Sequence, residues 1–153
     1  MSEQKFSPEI KEVPIPEVWI VDDDEDMVGA LLRSWRGRFS GKYDFRHFIT
    51  AKEALVEIDR LNKEKAILPK IIFVDGQLEK DEGELAYGEN LVKAIRGLKD
   101  IQQPQLIAHS SSRELNQAMR EAGANLAFRK SLDLPKSKQF LENPEEYQEE
   151  PVG

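Results

Sequence analysis

Apolar residues follow two rhythms along this chain: short unbroken runs, and longer stretches in which they return every three or four positions. Glu17-Val-Trp-Ile-Val21, Ile71-Ile-Phe-Val74 and Pro104-Gln-Leu-Ile-Ala108 are the runs. Lacking the polar alternation of a half-exposed strand, they read as strands buried on both faces, hence parallel and covered by helices. Tyr43 and Phe45 alternate with polar residues as a further strand would, and Asn125-Leu-Ala-Phe128 makes a short last one. Met27, Leu31 and Trp35, with Val28, Leu32 and Phe39, keep helical spacing; that helix opens within an acidic run and closes near Gly37 or Gly41. Thr50-Ala-Lys-Glu53 is a capping box, and Ala54, Leu55, Ile58 and Leu61 form the stripe of the helix it opens, which ends before Pro69. A polar loop from Gly76 to Gly88 leads to a helix carrying Leu91, Val92, Ile95 and Leu98. Ser111 and Glu114 stand at capping-box spacing before Leu115, Ala118 and Met119, with Gly123 as the stop. A weakly patterned last helix covers about 135–142. Strands alternating with helices predict a doubly wound α/β domain over residues 17–142, with an irregular leader at 1–16 and an acidic, disordered tail at 143–153.

Composition narrows the chemistry. The chain has 153 residues, 39% apolar and 33% charged, which suits one soluble domain. No apolar run approaches the roughly 18 residues of a membrane span, and no basic-then-apolar leader is visible, so a cytoplasmic location without membrane attachment is expected. With no cysteine and only two separated histidines, disulfides, thiolate catalysis and Cys-built zinc sites are excluded. The net charge of −7 provides no basic face for nucleic acid.

Parallel sheets bind ligands beyond the carboxyl ends of their strands. Those ends carry Asp22 and Asp23, then Asp75, then Ser110, then Lys130. Carboxylates gathered on one edge repel one another unless a cation joins them, and an oxygen-only set suits Mg²⁺. A carboxylate can also take a phosphoryl group as an aspartyl-phosphate, with Lys130 as the cationic partner and the Ser110 hydroxyl as a donor. Each residue also has a plainer reading. Asp22 to Asp26 suits an acidic first helical turn, Asp75-Gly76 a turn, Ser110 to Ser112 a helix cap, Lys130 a solvated lysine, and His109 a packing residue.

The order Val21-Asp22-Asp23, Phe73-Val74-Asp75, Ala108-His109-Ser110-Ser111, then Gly123-Ala124 leading to Lys130, resembles the receiver domain of bacterial two-component response regulators over about residues 17 to 131. The resemblance implies a five-stranded flavodoxin-like sheet in the order 2-1-3-4-5. It implies Asp75 as the phosphoacceptor, served by a histidine kinase or phosphotransfer protein. Asp22 and Asp23 would be the Mg²⁺-binding pair, with the Gln77 backbone carbonyl as a further ligand, Ser110 the switch hydroxyl and Lys130 the partner of the phosphoryl oxygens. Gln77 and Ser112 occupy the positions that modulate phosphoryl lifetime. Departures are equally plain. Glu79 stands where the family usually has proline, the loop to Gly88 is about five residues longer, Ala127 holds the place of an aromatic with Phe128 one position off, and Ser131 follows Lys130 where proline is common. Expected output is a protein contact through the Ser110–Phe128 surface or onward phosphotransfer, with no enzyme activity beyond self-catalysed phosphoacceptance and dephosphorylation. Two alternatives stand beside it: a receiver-like module that never uses phosphate, and an aspartyl-nucleophile phosphohydrolase. The phosphohydrolase would need an acid where Gln77 stands.

Overall fold

The computed structural model describes residues 14–149. Its strands are β1 (Glu17–Val21), β2 (Asp44–Phe48), β3 (Ile71–Val74), β4 (Gln105–His109) and β5 (Leu126–Phe128). The helices are α1 (Glu25–Arg38), α2 (Ala51–Lys63), α3 (Gly88–Arg96), α4 (Arg113–Ala122) and α5 (Leu134–Glu142), with a 3-10 turn at Gly83–Ala86. All pairings are parallel and the sheet runs β2-β1-β3-β4-β5, the doubly wound order expected. The leader call falls almost wholly on residues 1–13, outside the described residues.

The unbroken apolar runs do what a two-sided strand requires. Trp19 and Val21 join the layer under α2, α3 and α4, whereas Val18 and Ile20 join the layer under α1 and α5. All four residues of β3 are fully buried, and burying each such side chain contributes about 1.5–3 kcal/mol. Tyr43 ties the far end of the sheet to α5 through a 2.6 Å bond to the Leu141 carbonyl, and burial, with the charge of Glu145, pushes its phenol up to about 12.

Several boundaries differ from expectation for local reasons. The α4 cap is Ser112, whose Oγ accepts from Leu115 N at 3.2 Å; Ser111, the expected cap, lies one residue too early. α3 ends at Arg96, leaving Leu98 outside it. Asn125 precedes β5, its carboxamide oxygen accepting from Leu106 N and from Arg96 Nη2. The largest correction concerns the tail. Over Asn143–Glu149, expected to be disordered, the chain folds back: Tyr147 packs edge-on against Phe128 and Phe140, Glu145 pairs with Lys70 at 2.9 Å, and Glu149 pairs with Arg120 at 2.6 Å. Acidic composition misled because one aromatic anchor and two separated cations outweigh it.

Candidate functional site

Register brings the functional side chains to one edge. Val21 pairs with Val74 and Val74 with Ala108, so Asp22 and Asp75 emerge side by side, with Ser110 two residues beyond Ala108. Asp75 N donates to Val21 O at 2.9 Å, Asp22 N to Phe48 O at 3.0 Å, and Lys130 N to Ser110 O at 3.3 Å. Lys130 Nζ lies 2.7 Å from Asp22 Oδ2 and 3.1 Å from Asp75 Oδ1, with Asp22 and Asp75 nearly sealed from solvent. The Asp22 contact is an ion pair off the direction of a hydrogen bond, because Oδ2 accepts none. Burial, and then the neighbouring Asp22 charge, push Asp75 up to about 6. Burial opposes the Lys130 charge, but the Asp22 carboxylate against it, and then the charge of Asp75, outweigh this and hold the ammonium above its ordinary range.

Asp22, Asp23 and Asp75 each turn one carboxylate oxygen into a cluster whose atoms lie within 4.8 Å of one another. This donor set is all oxygen, anionic and partly open; it fits a hard divalent cation. Two oxygens of these residues accept backbone amides. Asp22 Oδ1 takes Asp24 N at 2.9 Å, and Asp23 Oδ2 takes Glu79 N at 2.7 Å. Gln77 lies nearby in an antiparallel bridge with Tyr87. The bonds of that bridge are made by Leu78 N to Ala86 O and Gly88 N to Gly76 O, so Gln77's own carbonyl points away from Tyr87, as in a non-hydrogen-bonded pair.

Ser110 is fixed by a residue that sequence reading missed. Asn116, buried in α4, accepts from Ser110 N at 2.9 Å and donates to Ser110 O at 3.0 Å and Phe128 O at 3.3 Å. Its signal is its place three residues before Met119, on the apolar stripe of α4. Ser110 Oγ accepts from Ser112 N at 3.1 Å, and a Cβ added at Gly76 would lie 3.0 Å from it, which sets the hydroxyl against the backbone following Asp75. His47 was also missed: its Nε2 bonds the Asp22 carbonyl at 2.7 Å. His109 is buried edge-on to Phe73, and burial, then Lys130, lower its pKa to about 4. Its ring is a neutral packing group.

Phe128 does not stand in for the aromatic absent at Ala127. Adjacent strand residues face opposite ways; Ala127 packs into the α2–α4 layer, and Phe128 into the α1–α5 layer against Phe140 at 6.1 Å. Beyond Lys130 the chain makes a γ-turn: Leu132 N bonds Lys130 O at 2.8 Å around Ser131, whose φ is +71°.

No family model and no curated protein matches the chain; solved structures do. The bacteriophytochrome response regulator AtBRR superposes with a TM-score of 0.68 at 14% identity, covering 92% of this chain and 100% of that one. The Mn(2+)-bound form of response regulator Rcp1 gives 0.64 at 16%, covering 90% and 99%. A CheY-like receiver domain protein from Methanospirillum hungatei gives 0.61 at 20%, covering 86% and 98%. The chain has the receiver-domain fold. Within that fold the acidic cluster, Asp75 and Lys130 share the edge at the strand ends.

The raised pKa of Asp75 has a testable consequence. The folded chain holds this proton more tightly than the unfolded chain, a contribution that is complete below about pH 4 and is lost as pH rises through about 6. Asp75→Asn removes the charge and is expected to unfold later in urea at pH 7.5, by about 1–3 kcal/mol. The gain should close towards pH 4; an equal gain at both pH values would contradict it.

Proposed function

We propose that this receiver-fold chain is a phosphoacceptor signalling module in which Asp75 takes a phosphoryl group from a histidine kinase or phosphotransfer protein. The observation that carries the reading is Asp75 gathered with Asp22 and Asp23 at the strand ends, with Lys130 against both Asp75 and Asp22. In the transfer, an Asp75 carboxylate oxygen forms a bond to phosphorus as the donor's bond to phosphorus breaks, and the donor leaves with the electron pair. Asp22, Asp23, Asp75 and the Gln77 carbonyl would hold Mg²⁺, which supplies neutralising charge for the phosphoryl oxygens. Lys130 would pair with one of those oxygens, and Ser110, held by Asn116, would donate to another. Output would pass to a partner protein through the Ser110–Phe128 surface, or onward by phosphotransfer, in the cytoplasm. Among the described residues no helix is long and apolar enough to cross a membrane.

A second reading, a module that never uses phosphate, draws support from Ala127, because no aromatic faces α4 from that position. Intact mass after incubation with acetyl phosphate separates the two. A gain of one phosphoryl group that requires Mg²⁺ and vanishes in Asp75→Asn supports the acceptor. No gain, and no beryllofluoride binding by a folded chain, would support the alternative.

A further inference from the structure

The segment that folds back after α5 occupies a surface of its own. Tyr147 stands with its ring centroid 5.6 Å from Phe128 and 5.8 Å from Phe140, nearly perpendicular to both. Two residues on, both carboxylate oxygens of Glu149 lie 2.6 Å from Arg120 Nη1. Phe140 belongs to α5 on one face of the sheet and Arg120 to α4 on the other, so a segment touching both crosses the open edge of β5, the terminal strand. An uncovered edge is a place where another chain can add. Here side chains hold the cover: Tyr147 on Phe128 and Phe140, Glu149 on Arg120 and Glu145 on Lys70. Its backbone bonds run from Asn143 N to Phe140 O and from Glu146 N and Tyr147 N to Asn143 O, and none joins it to β5 among the described residues. Both members of the Arg120–Glu149 pair are about one-third exposed, and exposed pairs hold weakly. The tail thus presents an aromatic and, two residues later, a carboxylate to Phe128, Phe140 and Arg120.

We infer that the β5 edge, with Phe128, Phe140 and Arg120, is a docking surface for an acidic partner segment carrying an aromatic residue and, two positions later, a carboxylate. Residues 143–149 are its occupant in cis. Being tethered, they hold the surface at an effective concentration of roughly millimolar, which a partner must exceed. The inference deepens the output part of the proposed function and uses none of its phosphate chemistry, so it stands or fails whether or not Asp75 accepts phosphate.

The test uses the full chain and a labelled peptide, Asn-Pro-Glu-Glu-Tyr-Gln-Glu, copying residues 143–149. Opening the seat with Tyr147→Ala and Glu149→Ala should let the peptide bind in trans, shifting the amide resonances of Arg120 and residues 126–128. The unaltered chain should bind at least about tenfold more weakly, because its own tail competes. Adding Arg120→Glu to the opened chain should abolish binding, and a peptide with Tyr and the last Glu exchanged for alanine should not bind. Failure of the opened, folded chain to bind, or equal binding by the altered peptide, would overturn the inference. If the double variant unfolds, Glu149→Gln alone serves: it should raise peptide affinity over the unaltered chain, and no increase would count against the docking surface.

Discussion

Lys130→Met is expected to cost about 3–5 kcal/mol at neutral pH, the usual penalty for removing one partner of a buried ion pair. The ammonium lies within 3.1 Å of Asp75 Oδ1 and 2.7 Å of Asp22 Oδ2, and both carboxylates are nearly sealed from solvent. Methionine keeps the length of the side chain and removes its charge, leaving two facing carboxylates without compensation. The sign of the pH response follows. As pH falls, Asp75, freed of the lysine that holds its pKa down, takes up its proton more readily than in the parent and the repulsion fades, so the gap between variant and parent should narrow in acid. Millimolar Mg²⁺ should narrow it at pH 7.5 by supplying the missing positive charge. Urea unfolding at pH 7.5 and pH 5, with and without Mg²⁺, measures all three. A loss unaffected by pH and Mg²⁺ would assign Lys130 a packing role and weaken the electrostatic account of the site.

Gly88→Ala should be nearly as damaging, by about 3 kcal/mol or more, at the upper end of overpacking costs. An added Cβ would stand 2.1 Å from the Asp75 carbonyl oxygen and 2.9 Å from Met119 Sδ. The methionine can move, but the carbonyl belongs to the backbone that positions the acceptor. Relief would require moving either α3 or the end of β3, and β3 is the centre of the sheet. Gly37→Ala is the matched control, because nothing lies within 4 Å of its added Cβ; inside α1 it should stabilise by about 0.5–1 kcal/mol. Similar unfolding midpoints for the two variants would show that the close approach at Gly88 is not there.

The parts of this protein that were legible in its sequence are those governed by short-range periodicity. Ile71 to Val74 announced a two-sided strand because all of its residues are apolar, and a parallel sheet then forces the residues after each strand onto one edge. Asp22, Asp75, Ser110 and Lys130 could therefore be grouped without knowing any distance. What stayed hidden depends on contacts between residues far apart in the chain. Glu79 N on Asp23 and the Asp81 carboxylate on the α2 amides of Ala51 and Lys52 pin the 77–87 loop, yet both lie in a polar stretch without period. Asn116 was obscured by being polar on an apolar stripe, and Tyr147 by the acidic residues around it. His47 stands in β2, where alternation was visible but its Asp22 partner, 25 positions earlier, was not.

The γ-turn at Ser131 limits how this chain can be altered. A proline has its φ locked near −65°, and Ser131 holds +71°, so the Lys-Pro junction common in receiver domains cannot be installed here by exchanging one residue. The turn would have to reverse its hand first, carrying Leu132 and the start of α5 with it. Two solutions for the segment after the lysine are thus separated by a backbone rearrangement rather than by a point mutation. A designer grafting a standard receiver loop onto this protein would need to replace the connection from Lys130 to Leu134 as a block.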